Sequence, residues 1–146
     1  MAHPRRRPAG GAIAWLRGHR REWSGIERAR RVAEGIPTTV LGEVADAGVL
    51  TRDEITRLIV PRRTLAHRKR RREHLSIDES DRLARALDLY DAALRTFDGD
   101  VEKAGAWLRK PNRALSGEIP LDLVMTSTGA RLAEDALLRI EHGVYS

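Results

Sequence analysis

The chain of 146 residues has a net charge of +6, and it is 41% hydrophobic but only 4% aromatic. This length allows one domain or two very small ones, with a core of mainly aliphatic side chains. Because there is no cysteine, disulfides, thiolate metal sites and a cysteine nucleophile are excluded. No apolar run approaches the roughly 20 residues of a membrane-spanning helix, and the apolar run 12–16 is too short for a secretory signal. We therefore expect a soluble, cytoplasmic protein.

Charge is distributed unevenly along the sequence. Residues 1–31 carry nine basic and two acidic side chains, and residues 61–72 carry seven basic and no acidic ones. Residues 73–146 reverse this balance, with nine basic and 14 acidic side chains. Dense arginine and lysine surfaces bind phosphate backbones through counterion release. We therefore expect the first half to bind nucleic acid and the acidic second half to bind a protein.

Residues 1–24 are predicted to form a basic, partly disordered arm, because prolines and glycines interrupt it and its consecutive arginines repel each other. A short helix beginning near Ala12 is the alternative for this segment. The apolar residues Val40, Leu41 and Val44 then have helical spacing, which predicts a helix that ends at Gly48.

A helix-turn-helix is predicted next. Thr51 and Glu54 have the spacing of a capping box, so a helix should begin at Arg52. Val60-Pro61 ends this helix, since the residue before a proline disfavours helical geometry. Pro61 also suits the first turn of a second helix, predicted over residues 62–72.

Leu65 and Ala66 of the second helix are predicted to face inward, and its outward surface is almost entirely basic. A recognition helix places its N-terminal residues against base edges, while flanking cations bind phosphates. Base contact is predicted for the N-terminal residues and for one face with i, i+4, i+7 spacing: Arg62, Arg63, Thr64, His67 and Arg70. Phosphate contact is predicted for the remaining cations: Arg68, Lys69, Arg71 and Arg72. A merely solvated basic helix is the weaker interpretation, because like charges repel one another unless an anion is bound.

The second half of the chain is predicted to contain three more helices. A second capping box, Ser76 to Glu79, begins a long helix. Its apolar stripe could face a core or a partner helix and consists of Leu83, Leu87, Tyr90, Leu94 and Phe97. A short helix over 101–109 should turn four residues inward: Val101, Ala104, Trp107 and Leu108.

A structured loop is predicted over 111–121, where two prolines and Gly117 interrupt helical structure. The last helix is predicted over 127–142, followed by Gly143 as its C-terminal cap. Four of its residues are expected to face inward: Leu132, Ala136, Leu137 and Ile140. No alternating run is long enough for a sheet, so the fold class is all-α.

Residues that would indicate an enzyme are few. The five histidines lack the spacing of a helical metal site, and no glycine-rich nucleotide fingerprint is present. The adjacent carboxylates Glu134 and Asp135 are expected to be ordinary surface charge. We therefore expect no catalytic residues, no metal and no cofactor.

The strongest family signal lies in the second half. The string W-L-x-x-P-N-x-x-L-x-G-x-x-P-L-D-L over residues 107–123, with the ending 129–132 and 138–146, resembles the C-terminal module of Xre/MbcA/ParS-type antitoxins. The helix-turn-helix fits the same architecture, and the resemblance extends over roughly residues 30–146. It implies an Xre-like DNA-binding domain, at 25–75, followed by a dimerisation and toxin-binding module at 76–146. The arginine-rich arm does not match the family pattern.

The resemblance implies a type II toxin–antitoxin system. The expected partner is a RES-domain toxin, which consumes NAD or uses it for ADP-ribosylation. The chain, itself no enzyme, would block the toxin's active site with its C-terminal region and would repress its own operon by binding operator DNA, as a homodimer or in a larger complex with the toxin.

Toxin contact is expected in two places of the C-terminal module. One is the segment with Trp107, Pro111, Asn112, Leu115 and Gly117, where the prolines and glycine limit the entropy lost on binding. The other is the end of the chain, with Arg139, Glu141, His142, Tyr145 and Ser146. Alternatively, Trp107, Leu115 and Leu121 fill the core, as we favour for Trp107, and Tyr145 caps the last helix.

Three alternative functions stay open at the level of sequence. The first is a plain helix-turn-helix repressor without a toxin partner. The second is a nucleoid or partition-type DNA-binding protein, and a small enzyme is the third. A RES-type reading frame next to the gene would favour the antitoxin.

Overall fold

The structure, a computed structural model, describes residues 25–143. Its helices, in chain order, are α1 (Gly25–Glu34), α2 (Thr39–Asp46), α3 (Arg52–Leu58), α4 (Arg62–Arg70), α5 (Ile77–Thr96), α6 (Val101–Arg109), the 3-10 helices η1 (Arg113–Leu115) and η2 (Pro120–Met125), and α7 (Ser127–Glu141). Residues 25–143 form no strand, and one isolated antiparallel bridge joins Pro37 to His74. The all-α class is therefore confirmed. The N-terminal arm, the alternative helix near Ala12, Tyr145 and Ser146 lie outside the described residues.

The chain divides into two compact units, Met1–Asp81 and Arg82–Ser146, and the boundary lies inside α5. No helix within residues 25–143 combines the length and the apolar character needed to cross a membrane.

The first unit is built around the predicted helix-turn-helix. The capping box of α3 is confirmed, because the Thr51 side chain accepts a hydrogen bond from the Glu54 backbone N–H at 3.1 Å and the Glu54 carboxylate accepts one from the Thr51 N–H at 2.9 Å. The core of this unit is aliphatic and consists of Ile36, Val40, Leu41, Val44, Val49, Leu50, Ile55, Leu58, Ile59, Val60 and Leu75.

Helix α4 differs from the prediction in its inward side. Leu65 is only half-buried and Ala66 is exposed, so the expectation for Ala66 is wrong. None of residues 62–70 is buried. The inward side is formed by three half-buried residues, Thr64, Leu65 and Arg68, and at 100° per residue Ala66 falls on the opposite half of the helix. The helix also ends at Arg70, because Arg72 adopts a φ of 54°.

The long helix α5 is buried over a broader surface than the predicted stripe. Leu83, Leu87 and Tyr90 are buried as expected, whereas Leu94 and Phe97 are half-buried. Four additional apolar residues of the helix are buried: Ala84, Ala86, Leu89 and Ala93. Small alanines allow close packing on more than one side of a helix, which the leucine spacing alone did not indicate.

In the second unit, two inward assignments are wrong. Val101 is 58% exposed and Leu132 is 53% exposed. Helix α6 turns Ala104 and Leu108 inward as predicted, and Trp107 is half-buried. Helix α7 packs on η2 and buries small residues and one leucine: Gly129, Ala130, Ala133, Ala136 and Leu137. Ile140 of the same helix is half-buried. The small residues, not the widely spaced large ones, therefore mark the contact side of α7.

Two features hold η2 against its neighbours. A Cβ at Gly129 would overlap the carbonyl oxygen of Leu123, so α7 approaches this backbone at a distance that only glycine allows. On the other side, the Arg85 guanidinium donates from Nε to the Val124 carbonyl at 2.8 Å and from Nη2 to the Met125 carbonyl at 3.2 Å. Arg85 thereby satisfies carbonyls at the end of η2 that have no partner in the helix itself.

The close approach at Gly129 predicts opposite effects of one substitution at two helical glycines. Gly129→Ala should lower the free energy of unfolding by about 2 kcal/mol, the usual cost of overpacking. Gly105→Ala is the matched control, because its Cβ would meet only the movable Arg109 guanidinium, at 3.2 Å. Alanine there should raise stability by up to about 1 kcal/mol through helix propensity. Urea denaturation followed by circular dichroism measures both, and equal stability of the two variants would contradict the packing argument.

Candidate functional site

Helix α4 presents a cationic surface. Arg62, Arg63, Lys69 and Arg70 are exposed, and none of the four has an ion pair or side-chain hydrogen bond to another residue of 25–143. His67, on the face predicted to read bases, is exposed, and Thr64 is half-buried. We call Arg62, Arg63, Lys69 and Arg70 the cationic face. Because its members have no partners within the described chain, their charges are available to an external anion.

Arg71 and Arg68 are placed differently from these cations. Arg71 is exposed but its Nε lies 3.2 Å from the Glu73 carboxylate. Arg68 turns inward, with 23% of its side chain exposed, and its Nη2 lies 3.1 Å from Glu79 Oε1 and 3.4 Å from Oε2. Its Nη1 donates to the His74 carbonyl at 3.3 Å. Both terminal nitrogens of the Arg68 guanidinium are therefore occupied inside the unit, while its buried Nε has no hydrogen-bond partner there.

Glu79 accepts hydrogen bonds from two different parts of the chain. Its carboxylate accepts the Ser76 backbone N–H at 2.8 Å, and the Ser76 hydroxyl in turn accepts the Glu79 N–H at 3.2 Å, so the predicted second capping box is confirmed. The same carboxylate, only 8% exposed, holds Arg68 of α4. One acidic side chain thus caps α5 and fixes α4 to it, and we call the Arg68–Glu79 pair the clamp.

Gly35 and Ile36, which follow α1, contact the turn between α4 and α5 and the first turn of α5. Ile36 donates its N–H to the Ser80 hydroxyl at 2.9 Å and accepts the Leu75 N–H at 2.9 Å. His74 Nδ1 lies 3.0 Å from the Gly35 carbonyl. Gly35 has a φ of 88°, and a Cβ there would lie 2.5 Å from the Leu75 carbonyl oxygen. The turn between α4 and α5 is therefore held by its contacts with Gly35 and Ile36 as well as by the clamp.

A second candidate surface is the loop between α6 and η2. Asn112 organises it: its side-chain oxygen accepts the Ala114 N–H at 2.9 Å, and its carbonyl accepts the Gly117 N–H at 2.8 Å. Ser116 and Gly117 both have positive φ, 55° and 83°. Asn112 and Gly117, predicted to contact a toxin, thus also determine the shape of this loop. The exposed residues of the loop are Pro111, Arg113, Ala114, Ser116, Gly117 and Glu118, while Asn112 and Leu115 are half-buried.

The outer side of α7 is the third candidate surface. Leu132 and Leu138 are 53% and 49% exposed, and the predicted contact residues Arg139, Glu141 and His142 are exposed on the last turn and cap of the same helix. Helix α7 packs against η1, so this surface and the loop belong to neighbouring elements. Large exposed apolar side chains among charged ones are typical of a protein-binding surface.

No cluster of three or more histidine, aspartate or glutamate side chains suited to a metal ion occurs between residues 25 and 143.

Two protein-family models match the chain. Residues 27–88 match the antitoxin Xre-like helix-turn-helix domain, and residues 92–143 match the antitoxin Xre/MbcA/ParS C-terminal toxin-binding domain. A protein from Pseudomonas putida called Antitoxin Xre is 38% identical over 123 residues, which cover 82% of this chain and 74% of that protein. Antitoxin Xre of Photorhabdus laumondii is 31% identical over 114 residues, 77% of each chain.

The chain belongs to the Xre antitoxin family. The cationic face and the clamp lie within the part that matches the helix-turn-helix domain, and the loop and α7 lie within the part that matches the toxin-binding domain. A DNA-binding region and a toxin-binding region therefore follow one another in this Xre-family chain.

The sequence missed the second contact of Glu79. The capping-box spacing identified Glu79 only as a partner of Ser76, since a local pattern carries no information about a residue of another helix. The sequence assigned Arg68 and Lys69 alike to phosphate contact, because the burial of Arg68 depends on how α4 packs.

The clamp predicts that Arg68 positions α4 without contacting a phosphate. The substitution Arg68→Met should weaken binding to duplex DNA from the promoter of the gene that encodes this chain. It should leave unchanged the slope of log K against log salt. Lys69→Met, on the cationic face, is the matched control and should reduce the slope by about 0.9, the value for one lost phosphate contact. Fluorescence anisotropy over a salt series measures both slopes, with circular dichroism as the check on folding. An equal reduction in both variants would mean that Arg68 contacts a phosphate.

Proposed function

We propose that this Xre-family antitoxin represses its own operon through α4 and neutralises a RES-domain toxin by blocking that toxin's active site. The observation that carries the proposal is the separation of two unlike surfaces along the chain. An exposed cationic face without acidic partners lies in the helix-turn-helix unit, and an apolar and charged surface lies on the outer side of α7.

For operator binding, we assign base contact to Arg63, His67 and Arg70, with Arg62 and Thr64 beside them at the start of α4. An arginine can donate two hydrogen bonds to guanine O6 and N7. Lys69 and Arg71 are assigned to phosphates, whereas Arg68 is assigned to positioning. The high charge density of α4 supports this division, because bound phosphates relieve the mutual repulsion of the cations.

For toxin neutralisation, we assign the partner to the RES-domain class, which consumes NAD or uses it for ADP-ribosylation, as the resemblance of residues 107–123 to Xre/MbcA/ParS antitoxins implies. Contact is assigned to Arg139, Glu141 and His142 at the end of α7 and to Tyr145 and Ser146 beyond the described residues. Leu132 and Leu138 add apolar area on the same helix. The loop at 111–118 is the second contact region.

We also propose that the chain acts as a homodimer or in a larger complex with its toxin. Repressors with a helix-turn-helix read two half-sites about one helical turn apart with two copies of the domain.

The proposed division of labour predicts that Arg63→Ala and Arg70→Ala each weaken operator binding by about ten- to a hundredfold, the effect of losing one bidentate base contact. Copurification with the toxin should be unchanged, because α4 lies outside the toxin-binding domain. The measurements are anisotropy with promoter DNA and pull-down of the co-expressed neighbouring gene product. Equal loss of both activities would contradict the separation of the two surfaces.

The toxin-binding assignment is tested by growth rescue during toxin co-expression. Arg139→Ala and Tyr145→Ala should weaken rescue strongly, since arginine and tyrosine anchors often contribute at least about 2 kcal/mol each to an interface. Glu118→Ala, exposed on the loop, is the comparison variant. Promoter binding should stay normal in all three. Full rescue by the first two variants and failure of the third would place the blocking element in the loop. A chain that binds promoter DNA but no neighbouring toxin would be a plain repressor.

A further inference from the structure

Ala66 lies at the centre of the outward side of α4. It is exposed, although its sequence pattern predicted an inward position. On a helix, residues three and four apart are surface neighbours. The neighbours of Ala66 by this spacing are Arg62, Arg63, Lys69 and Arg70, which together form the cationic face. A single methyl group is thus surrounded by four long cationic side chains.

The side of α4 that packs against the unit is a different one. Thr64, Leu65 and Arg68 are half-buried there, and the clamp fixes Arg68 to Glu79. Ala66 therefore makes little contribution to packing within its unit. It borders an open groove of about 450 Å³, whose apolar lining includes Leu41, Ile55 and Leu65. Leu41 and Ile55 are themselves buried, and most of the other residues that line this groove are polar or charged. Ala66 is therefore an exposed apolar side chain in mainly polar surroundings.

The chemistry of alanine limits what it can contact on DNA. Phosphates and most base-edge atoms need hydrogen-bond partners, which a methyl side chain cannot supply. The C5-methyl group of thymine is the apolar group that base edges present in the major groove. The short side chain also lets the backbone of α4 come close to the bases, while the longer arginines and the lysine around it reach outward to phosphates and guanines.

We propose that Ala66 contacts the C5-methyl of a thymine in each operator half-site, and that it is a specificity-determining residue of α4. This inference rests on the proposed binding of operator DNA and adds a base identity to it. The arginines of the cationic face favour guanine, so the operator should combine a guanine contact with a thymine at the position that faces Ala66.

The test compares thymine with uracil, which lacks only the methyl group. Duplexes with the promoter sequence of the gene that encodes this chain are made with uracil at one thymine position at a time. The full chain is titrated against each duplex. At one position per half-site, affinity for the wild-type chain should fall about fourfold, which corresponds to the ~0.8 kcal/mol gained by burying one methyl-sized group. At the other thymines the two duplexes should bind alike.

A double-mutant cycle assigns that loss to Ala66. Ala66→Gly should bind the thymine and uracil duplexes with equal affinity, whatever its overall loss, because any change in helix stability affects both duplexes equally. Ala66→Ser is the second variant in case the glycine impairs folding, and its polar hydroxyl should also reduce the preference. Lys69→Ala is the control and should weaken binding to both duplexes by the same factor.

Two results would overturn the inference while leaving operator binding intact: a wild-type chain that shows no thymine preference at any position, or an Ala66→Gly variant that keeps the full preference. Failure of the wild-type chain to bind the promoter at all would overturn operator binding itself, and the Ala66 contact with it.

Discussion

The carboxylate of Glu79 is the group on which the placement of α4 in the DNA-binding unit depends. It lies nearly buried, accepts the Ser76 N–H that begins α5, and holds the Arg68 guanidinium of α4. Since none of residues 62–70 is buried, apolar packing contributes little to fixing α4, and a charged pair with a local cap takes over that task. Removing one partner of such a pair leaves a poorly solvated charge, which is far more destabilising than the loss of an exposed ion pair. The orientation of the cationic face follows from this contact.

The composition of α4 shows why so weakly packed a helix suits its function. Its exposed cations repel each other in the unbound chain, whereas on DNA they lie beside phosphates and displace the cations condensed there. A helix held by one clamp and a half-buried Leu65 presents nearly all its other side chains outward. The surface available to DNA is therefore large relative to the nine residues of the helix, at the expense of its contribution to the core.

The toxin-binding unit is held by close backbone contacts. Gly129 lets α7 approach the Leu123 carbonyl, Arg85 binds the carbonyls that end η2, and Asn112 closes the loop at 112–118. Because these contacts use small residues and backbone atoms, large apolar residues of α7 are not all needed inside. Leu132 and Leu138 are left on the surface, where they can contact a partner protein.

The sequence by itself determined where the α-helices from α2 onward lie, because capping boxes, prolines before helices and glycines after them act within a few residues: Thr51–Glu54 and Ser76–Glu79 both formed as expected. Helix α1 was not predicted. The sequence also identified the cationic helix and the family resemblance, which rest on residue order. The tertiary structure alone decided which sides of the helices are buried. Ala66, Val101 and Leu132 turned outward and Arg68 turned inward, because burial depends on the neighbouring helix and on how closely small residues such as Gly129 let it approach, and no local spacing contains that information.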